Sequence, residues 1–317
     1  MRAQCAETVL MVRPAAFGAN AETAATNAFQ DRSAYDAAAV RDAARREFDS
    51  LAGRLGDAGV EVIVVEDSPD RATPDAVFPN NWVSFHHDGV VVLYPMLAPL
   101  RRHERRADVI DAVRASGRSV RRIVDYTRWE GEDRFLEGTG SLVLDHTARV
   151  AYACESPRTH RDPLEEWCRD LDYAPHVFLA VGPDGAPLYH TNVMMCIGQD
   201  FAVACLEAVP DPAARRALAA RLLATGRDLI EITVAQMGAF AGNVLALATG
   251  SGEGVIALSE SARGALVPAQ RRRLERHGTV VSVPIPTIER HGGGSVRCML
   301  AEVFLPRREG SETDGSL

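Results

Sequence analysis

Cys298 ends the run His291-Gly292-Gly293-Gly294-Ser295-Val296-Arg297-Cys298 and opens an apolar stretch, Cys298–Leu305, that reads as a strand. Glycine lets a backbone adopt φ > 0 and lets another group come close. A thiol just past three glycines, at the mouth of a strand, is well sited to attack a bound substrate. A lone cysteine is most often a small buried hydrophobe, so its company decides the matter. Tyr189-His190-Thr191-Asn192 supplies an imidazole, and Phe135-Leu136-Glu137-Gly138-Thr139-Gly140 a carboxylate. Thr73-Pro74-Asp75-Ala76-Val77-Phe78-Pro79-Asn80-Asn81 supplies a second carboxylate, and Ala241-Gly242-Asn243 is one more turn of the same kind. A thiolate nucleophile, a general base, and carboxylates that orient base or substrate are the parts of covalent nucleophilic catalysis.

Those turns must be brought together by the elements around them, and the chain repeats one pattern. A polar or Gly/Asn turn opens a strand, a tight turn leads to a second apolar strand, and a helix and a further strand follow. The paired strands are Asn81–His86 with Val90–Tyr94, Ser141–Leu144 with Val150–Cys154, Val193–Ile197 with Phe201–Leu206, and Val244–Ala248 with Gly254–Leu258. Their connecting tips carry hairpin turn residues. The openings Asn81, Ser141, Asn192, Asn243 and Ser295 recur every fifty to sixty residues, which marks a repeat architecture. Helices are expected over Tyr35–Leu55, Arg101–Ser116, Pro163–Leu171, Asp211–Thr225 and Pro268–His277, rich in Ala, Leu, Arg and Glu. The first unit holds only Thr8–Val12 ahead of its helix, with Val60–Val65 after it. Cys298–Leu305 is its natural missing partner and would close the ring. The pattern predicts a five-fold pseudosymmetric α/β propeller of ββαβ units, one domain over residues 1–306 with a frayed tail over 307–317. The glycine run precedes a strand rather than a helix, so it is no phosphate loop.

With 317 residues, 46% apolar and 25% charged, the chain has the composition of a soluble globular protein with a full core. A net charge of −8 argues against a nucleic-acid surface. The six cysteines show no zinc spacing, and their scatter through apolar segments fits reduced thiols in the cytoplasm. Neither a membrane span nor a secretory leader is visible. If the protein oligomerises, a homodimer is the default.

The four motifs, in this order and at repeat spacing, resemble those of the guanidino-group-modifying enzymes of the pentein fold, which include arginine deiminases, dimethylarginine hydrolases and amidinotransferases. Gly-Gly-Gly-Ser-Val-Arg-Cys298 is similar to their nucleophile loop and His190-x-Asn192 to their His-x-Asp. Glu137-Gly138 is similar to their Glu-Gly, and Asp75-x-x-Phe78-x-x-Asn81 to their Asp-x-x-Phe-x-x-Asp. Met11–Thr23 and Tyr189–Met195 resemble the citrulline-utilisation type most. The resemblance implies that Cys298 attacks the guanidino or ureido carbon and that His190 serves as acid and then base. It also implies that Glu137 orients His190 and favours its protonated form, and that no metal or organic cofactor takes part. Asp75, Phe78, Asn81 and Asn192 would bind the substrate, a small amino acid. Arg128, Arg134 and Arg13 are candidates to grip its carboxylate, each against an ordinary surface role.

The departure is at Asn81 and Asn192, where arginine-processing relatives usually carry carboxylates. Charge-assisted hydrogen bonds are about twice as strong as neutral ones, so two amides forgo several kcal/mol of preference for a cation, to order of magnitude. Amides both donate and accept, which suits a ureido group. Citrulline, hydrolysed to ornithine, ammonia and carbon dioxide, is the expected substrate. Arginine dihydrolysis or deimination, dimethylarginine hydrolysis and amidino transfer are the alternatives, and a lid role for Pro14–Gln30 is open.

Overall fold

Buried on both faces, a strand must be apolar throughout, and the chain has five such runs. Thr8–Arg13, Val90–Leu93, Val150–Cys154, Phe201–Ala204 and Gly254–Ser259 are buried almost end to end. Each is the middle strand of a three-stranded sheet in the computed structural model, which describes residues 2–23, 26–31, 36–182 and 184–308. In the last four sheets the middle strand pairs antiparallel with the hairpin strand before it: Val83–Phe85, Val143–Asp145, Met195–Ile197 and Leu245–Ala248. On its other side it pairs parallel with the strand that follows the helix: Arg122–Asp125, Ala174–Phe178, Asp228–Glu231 and Thr279–Val283.

The first sheet completes the ring. Thr8–Arg13 pairs parallel with Glu61–Glu66 and antiparallel with Ala301–Glu302, so the two ends of the chain share one sheet. Val303 donates its N–H to Thr8 (2.9 Å), and Phe304 donates to Phe85 of the next unit (3.3 Å). This is the expected pentein propeller of ββαβ units. Helix Ala37–Asp57 lies over the first sheet with Val40, Ala44, Phe48, Leu51 and Leu55 buried along one face, a helical stripe. Asp36 caps it by accepting from the N–H groups of Ala38 and Ala39. Among the described residues, no helix is long and apolar enough to cross a membrane.

The structure corrects three expectations. Cys298 does not open a strand: Val296–Met299 is a 3-10 turn in which Cys298 N–H donates to Ser295 (3.0 Å), and the strand proper is only Ala301–Glu302. The same holds at Asn81, Ser141 and Asn192, which sit in the short helical turns Pro79–Asn81, Gly138–Ser141 and Thr191–Val193. Second, Arg101–Ser116 is two helices, Pro99–Arg102 and Ala107–Ala115. The break lets Glu104 fold back on the buried Arg101, with N–O distances of 2.9 and 2.8 Å. Third, the tail is held beyond its expected start, since Arg307 bridges to Arg118 and Arg308 N–H donates to Gly117 (2.8 Å). Residues 309–317 lie outside the described residues, as does Tyr35 at the expected start of the first helix.

Candidate active site

The opening turns meet at one end of the ring. Gly293 has φ 63°, and a Cβ there would come within 2.5 Å of the Asn27 side chain, so glycine is required both by conformation and by contact. Tyr189 Oη–H donates to Gly293 O at 2.6 Å and fixes the loop. Cys298 is buried, with Sγ 3.3 Å from Asn243 Nδ2 and 3.6 Å from Asn192 Nδ2.

His190 reaches into the same space from its own turn. Its Nε2 lies 2.9 Å from Glu137 Oε2, both groups being buried. A Cβ on Gly140 would stand 2.7 Å from the His190 ring and 2.4 Å from Asn81 Nδ2, so only glycine leaves room for the two. Burial pushes the Glu137 carboxyl up, but Arg158, His190 and Arg101 outweigh it and hold the group at about 2. Burial is also the largest influence on His190, and pulls the imidazole down to about 4 against the opposing effect of Glu137. Glu137 thus favours the protonated form as expected, but burial outweighs it and favours the neutral ring. An ionised carboxylate only accepts, so the neutral ring carries its proton on Nε2 and keeps a lone pair on Nδ1.

Asp75 is buried, accepts from Asn20 Nδ2 at 2.8 Å, and lies 3.7 Å from Arg101 Nε. Burial raises its pKa against the pull of Arg101 and Asn20. Arg101 also donates to Asn81 Oδ1 (2.8 Å) and Phe78 O (3.2 Å). Its partner Glu104 is pushed up to about 7, by burial above all. Arg158 sends Nη2 to Thr23 O (3.1 Å) and Thr26 Oγ1 (2.7 Å), and its Nη1 lies 3.5 Å from Glu137 Oε2. Asp75, Asn81, Arg101 and Arg158 line a cavity of only about 20 Å³ together with Phe78, Tyr189, His190 and Cys298.

Cys298, His190, Glu137, Asp75, Phe78 and Asn81 thus come together at one end of the ring. Asn192 stands behind the thiol rather than on the cavity wall, its Nδ2 also donating to Thr139 O (3.1 Å). Three arginines do not join the site. Arg128 is 55% exposed and pairs with Glu166 on an outward-facing 3-10 turn, and Arg134 pairs with Asp162. Arg13 forks onto Asp49 at 2.6 and 2.7 Å. The cationic groups actually in the cavity, Arg101 and Arg158, escaped the sequence reading. Asn20 and Thr23 fall in the Met11–Thr23 stretch that carries the resemblance, and Asn27 in the Pro14–Gln30 segment raised as a lid, but none is individually a sequence-based site residue.

A family model described as N,N dimethylarginine dimethylhydrolase, eukaryotic, matches residues 13–305. Among solved structures, the chain is similar in fold to ArgZ, an arginine dihydrolase of the ornithine–ammonia cycle in cyanobacteria. The TM-score is 0.73 at 17% identity, covering 95% of this chain and 41% of that one. It is similar to AgrE, solved with L-arginine, at TM-score 0.74 and 18% identity over 96% of this chain and 41% of that one. A dimethylarginine dimethylaminohydrolase solved as an adduct with S-methyl-L-thiocitrulline gives 0.62 and 15%, over 93% and 99%. The chain spans about two fifths of ArgZ and AgrE, and these likenesses are of fold. No curated protein matches it in sequence.

Proposed function

The chain belongs to the N,N dimethylarginine dimethylhydrolase family, hydrolases of guanidino C–N bonds with the pentein fold, and we propose that it hydrolyses arginine by way of citrulline to ornithine. The observation that carries this is one cavity lined by Cys298, the Glu137-bound His190 and the buried Asp75. On this reading, neutral His190 takes the Cys298 proton and the thiolate attacks the guanidino carbon. The imidazolium returns the proton to the leaving nitrogen, ammonia departs, and a C–S bond holds the remainder. His190 then draws a proton from water, the hydroxide adds, and the C–S bond breaks to give the ureido compound and free thiolate. A second round on the ureido carbon expels ammonia again and leaves a thiocarbamate. Its hydrolysis yields a carbamic acid, which falls to ornithine and carbon dioxide.

Two features support both rounds. Asp75 offers a buried anion to a guanidinium, which suits arginine. Asn81, whose Oδ1 is taken by Arg101, offers the cavity a neutral Nδ2–H donor, which suits the carbonyl of the ureido intermediate. Citrulline, expected from the amide pair, is thus the substrate of the second round. Arg158 is the group for the substrate carboxylate, being buried in the cavity and forked. Its N–H groups now go to Thr23 and Thr26. Ligand sites run to roughly 300–1,000 Å³, so the 20 Å³ cavity must open to admit an amino acid. The turns that supply Asn20, Thr23 and Asn27 are the part to move. Residues 1–306 then form the catalytic domain, and the unpaired thiols among the described residues suit the reducing cytoplasm.

The test is ammonia release from arginine, citrulline and dimethylarginine, with and without glycine as an amidino acceptor. Two ammonia per arginine and one per citrulline, both lost in Cys298→Ala, are expected. Release from dimethylarginine alone, or transfer to glycine, would overturn the proposal while leaving the family unchanged.

A further inference from the structure

The fifth unit contributes one polar group to the end of the ring where the reaction is placed, and the family motifs give it no role. Asn243 lies in the turn before Leu245–Ala248, fully buried. Its carbonyl oxygen is taken by the backbone N–H of Arg297, at 3.1 Å. That contact decides which way the amide faces, because only an oxygen can accept there. The –NH₂ end has two hydrogens to place, and two near acceptors stand before it: Asn192 O at 3.0 Å and Cys298 Sγ at 3.3 Å. Asn192 Oδ1 is slightly farther, at 3.4 Å. The Asn192 amide lies side-on to the sulfur, with Nδ2 at 3.6 Å and Oδ1 at 3.8 Å. It can therefore accept from the thiol or donate to the thiolate, whereas Asn243 can only donate.

We infer that Asn243 is a catalytic residue, whose Nδ2–H stabilises the Cys298 thiolate in the buried site before attack and again when the C–S bond breaks. The inference rests on the reading of Cys298 as nucleophile. Hydrogen bonds to an ionised group are stronger than those to a neutral one, so the donor favours the sulfur anion over the thiol. The contact to Arg297 N–H also ties the donor to the residue next to the nucleophile and so fixes the distance between sulfur and amide. Asp75, His190, Tyr189, Arg101 and Arg158 line the cavity onto which Sγ opens, and the test leaves all of them in place.

The experiment needs no substrate. Absorbance at 240 nm from Cys298 thiolate is titrated between pH 5 and 10 in the parent, Asn243→Asp and Asn243→Ala, each corrected with its own Cys298→Ala counterpart. Loss of one hydrogen bond to the anion is expected to move the midpoint up by about one pH unit or more in Asn243→Ala. Asn243→Asp keeps the acceptor for Arg297 N–H but turns a lone pair on the sulfur, so its midpoint should rise further. An added negative charge alone would raise the midpoint of Asn243→Asp, so a rise confined to that variant, with Asn243→Ala at the parental midpoint, overturns the inference. If the charged variant does not fold, Asn243→Ala decides: a titration superimposable on the parent is equally fatal. Turnover retained in Cys298→Ala would instead sink the nucleophile reading.

Discussion

Glu137→Gln replaces a buried carboxylate by a neutral group of the same shape, in effect the protonated acid made permanent. Burial alone would push the carboxyl up, yet Arg158, His190 and Arg101 bring it from the ordinary 4.5 to about 2. That depression of about 2.5 pH units corresponds to ~3 kcal/mol in favour of the ionised form, to order of magnitude. A depressed acid contributes stability that is fully present above its unfolded pKa and is lost as pH falls through the folded one. The parent should therefore exceed the glutamine variant by ~3 kcal/mol in urea unfolding at pH 7. The gap should narrow to ~2 kcal/mol at pH 3.5 and vanish below about pH 2. Turnover should fall roughly 10²–10⁴-fold, the usual range for general acid–base catalysis, because glutamine can donate to His190 and no longer fixes the proton on Nε2. Equal stability of the two proteins at pH 7, or a gap that does not change with pH, would refute the claim that Arg158, Arg101 and the His190 hydrogen bond hold Glu137 ionised.

Arg158→Lys keeps the charge beside Glu137 but loses the fork, so KM for arginine should rise about 10–100-fold with kcat changed far less. Steady-state kinetics with an unchanged KM would remove Arg158 as the carboxylate anchor. Asn81→Asp should shift the arginine-to-citrulline ratio of kcat/KM toward arginine by about tenfold or more; a ratio that moves toward citrulline would count against the amide-pair reasoning. Gly140→Ala drives a methyl to 2.7 Å from the His190 ring. Overpacking of this kind costs about 1–3 kcal/mol, and activity should collapse while circular dichroism keeps the native spectrum; full activity would show that the ring has space to retreat.

The repeat was legible because its signal is local. Each unit carries a turn, an apolar run, a hairpin tip and a second apolar run, and the buried middle strands require that composition wherever they occur. The C-terminal partner of Thr8–Arg13 was legible by elimination. The backbone at the openings was not, since a 3-10 turn such as Val296–Met299 and a strand start can share one apolar sequence. What separates them is the Ser295–Cys298 hydrogen bond. Arg101 and Arg158 were missed for a different reason. Arginine is ordinarily a surface residue; Glu104, three residues after Arg101, reads as an ordinary surface partner, and the carboxylate that both arginines share is distant in the chain. Glu137, paired with both at 3.9 and 3.5 Å, is 36 residues after the first and 21 before the second. Arg128 and Arg134 are candidates only through the general fit of arginine to carboxylates, and they pair with Glu166 and Asp162 instead.

The charge state of His190 shows where motif reasoning stops. A neighbouring carboxylate ordinarily raises a histidine, and the pair was read that way. Here burial acts on the imidazole more strongly than Glu137 does, and Arg158 and Arg101 in the same cavity also oppose its protonation. A neutral His190 is the better resting state for a cysteine hydrolase of a cationic substrate. It can receive the thiol proton only when empty, and a resting imidazolium would add a third positive charge to the cavity that a guanidinium must enter. The amides at Asn192 and Asn243 then take on part of the work that an imidazolium would do for the thiolate, and they do so without charge. Asp75 is left as the anion through which the cavity can distinguish arginine from citrulline.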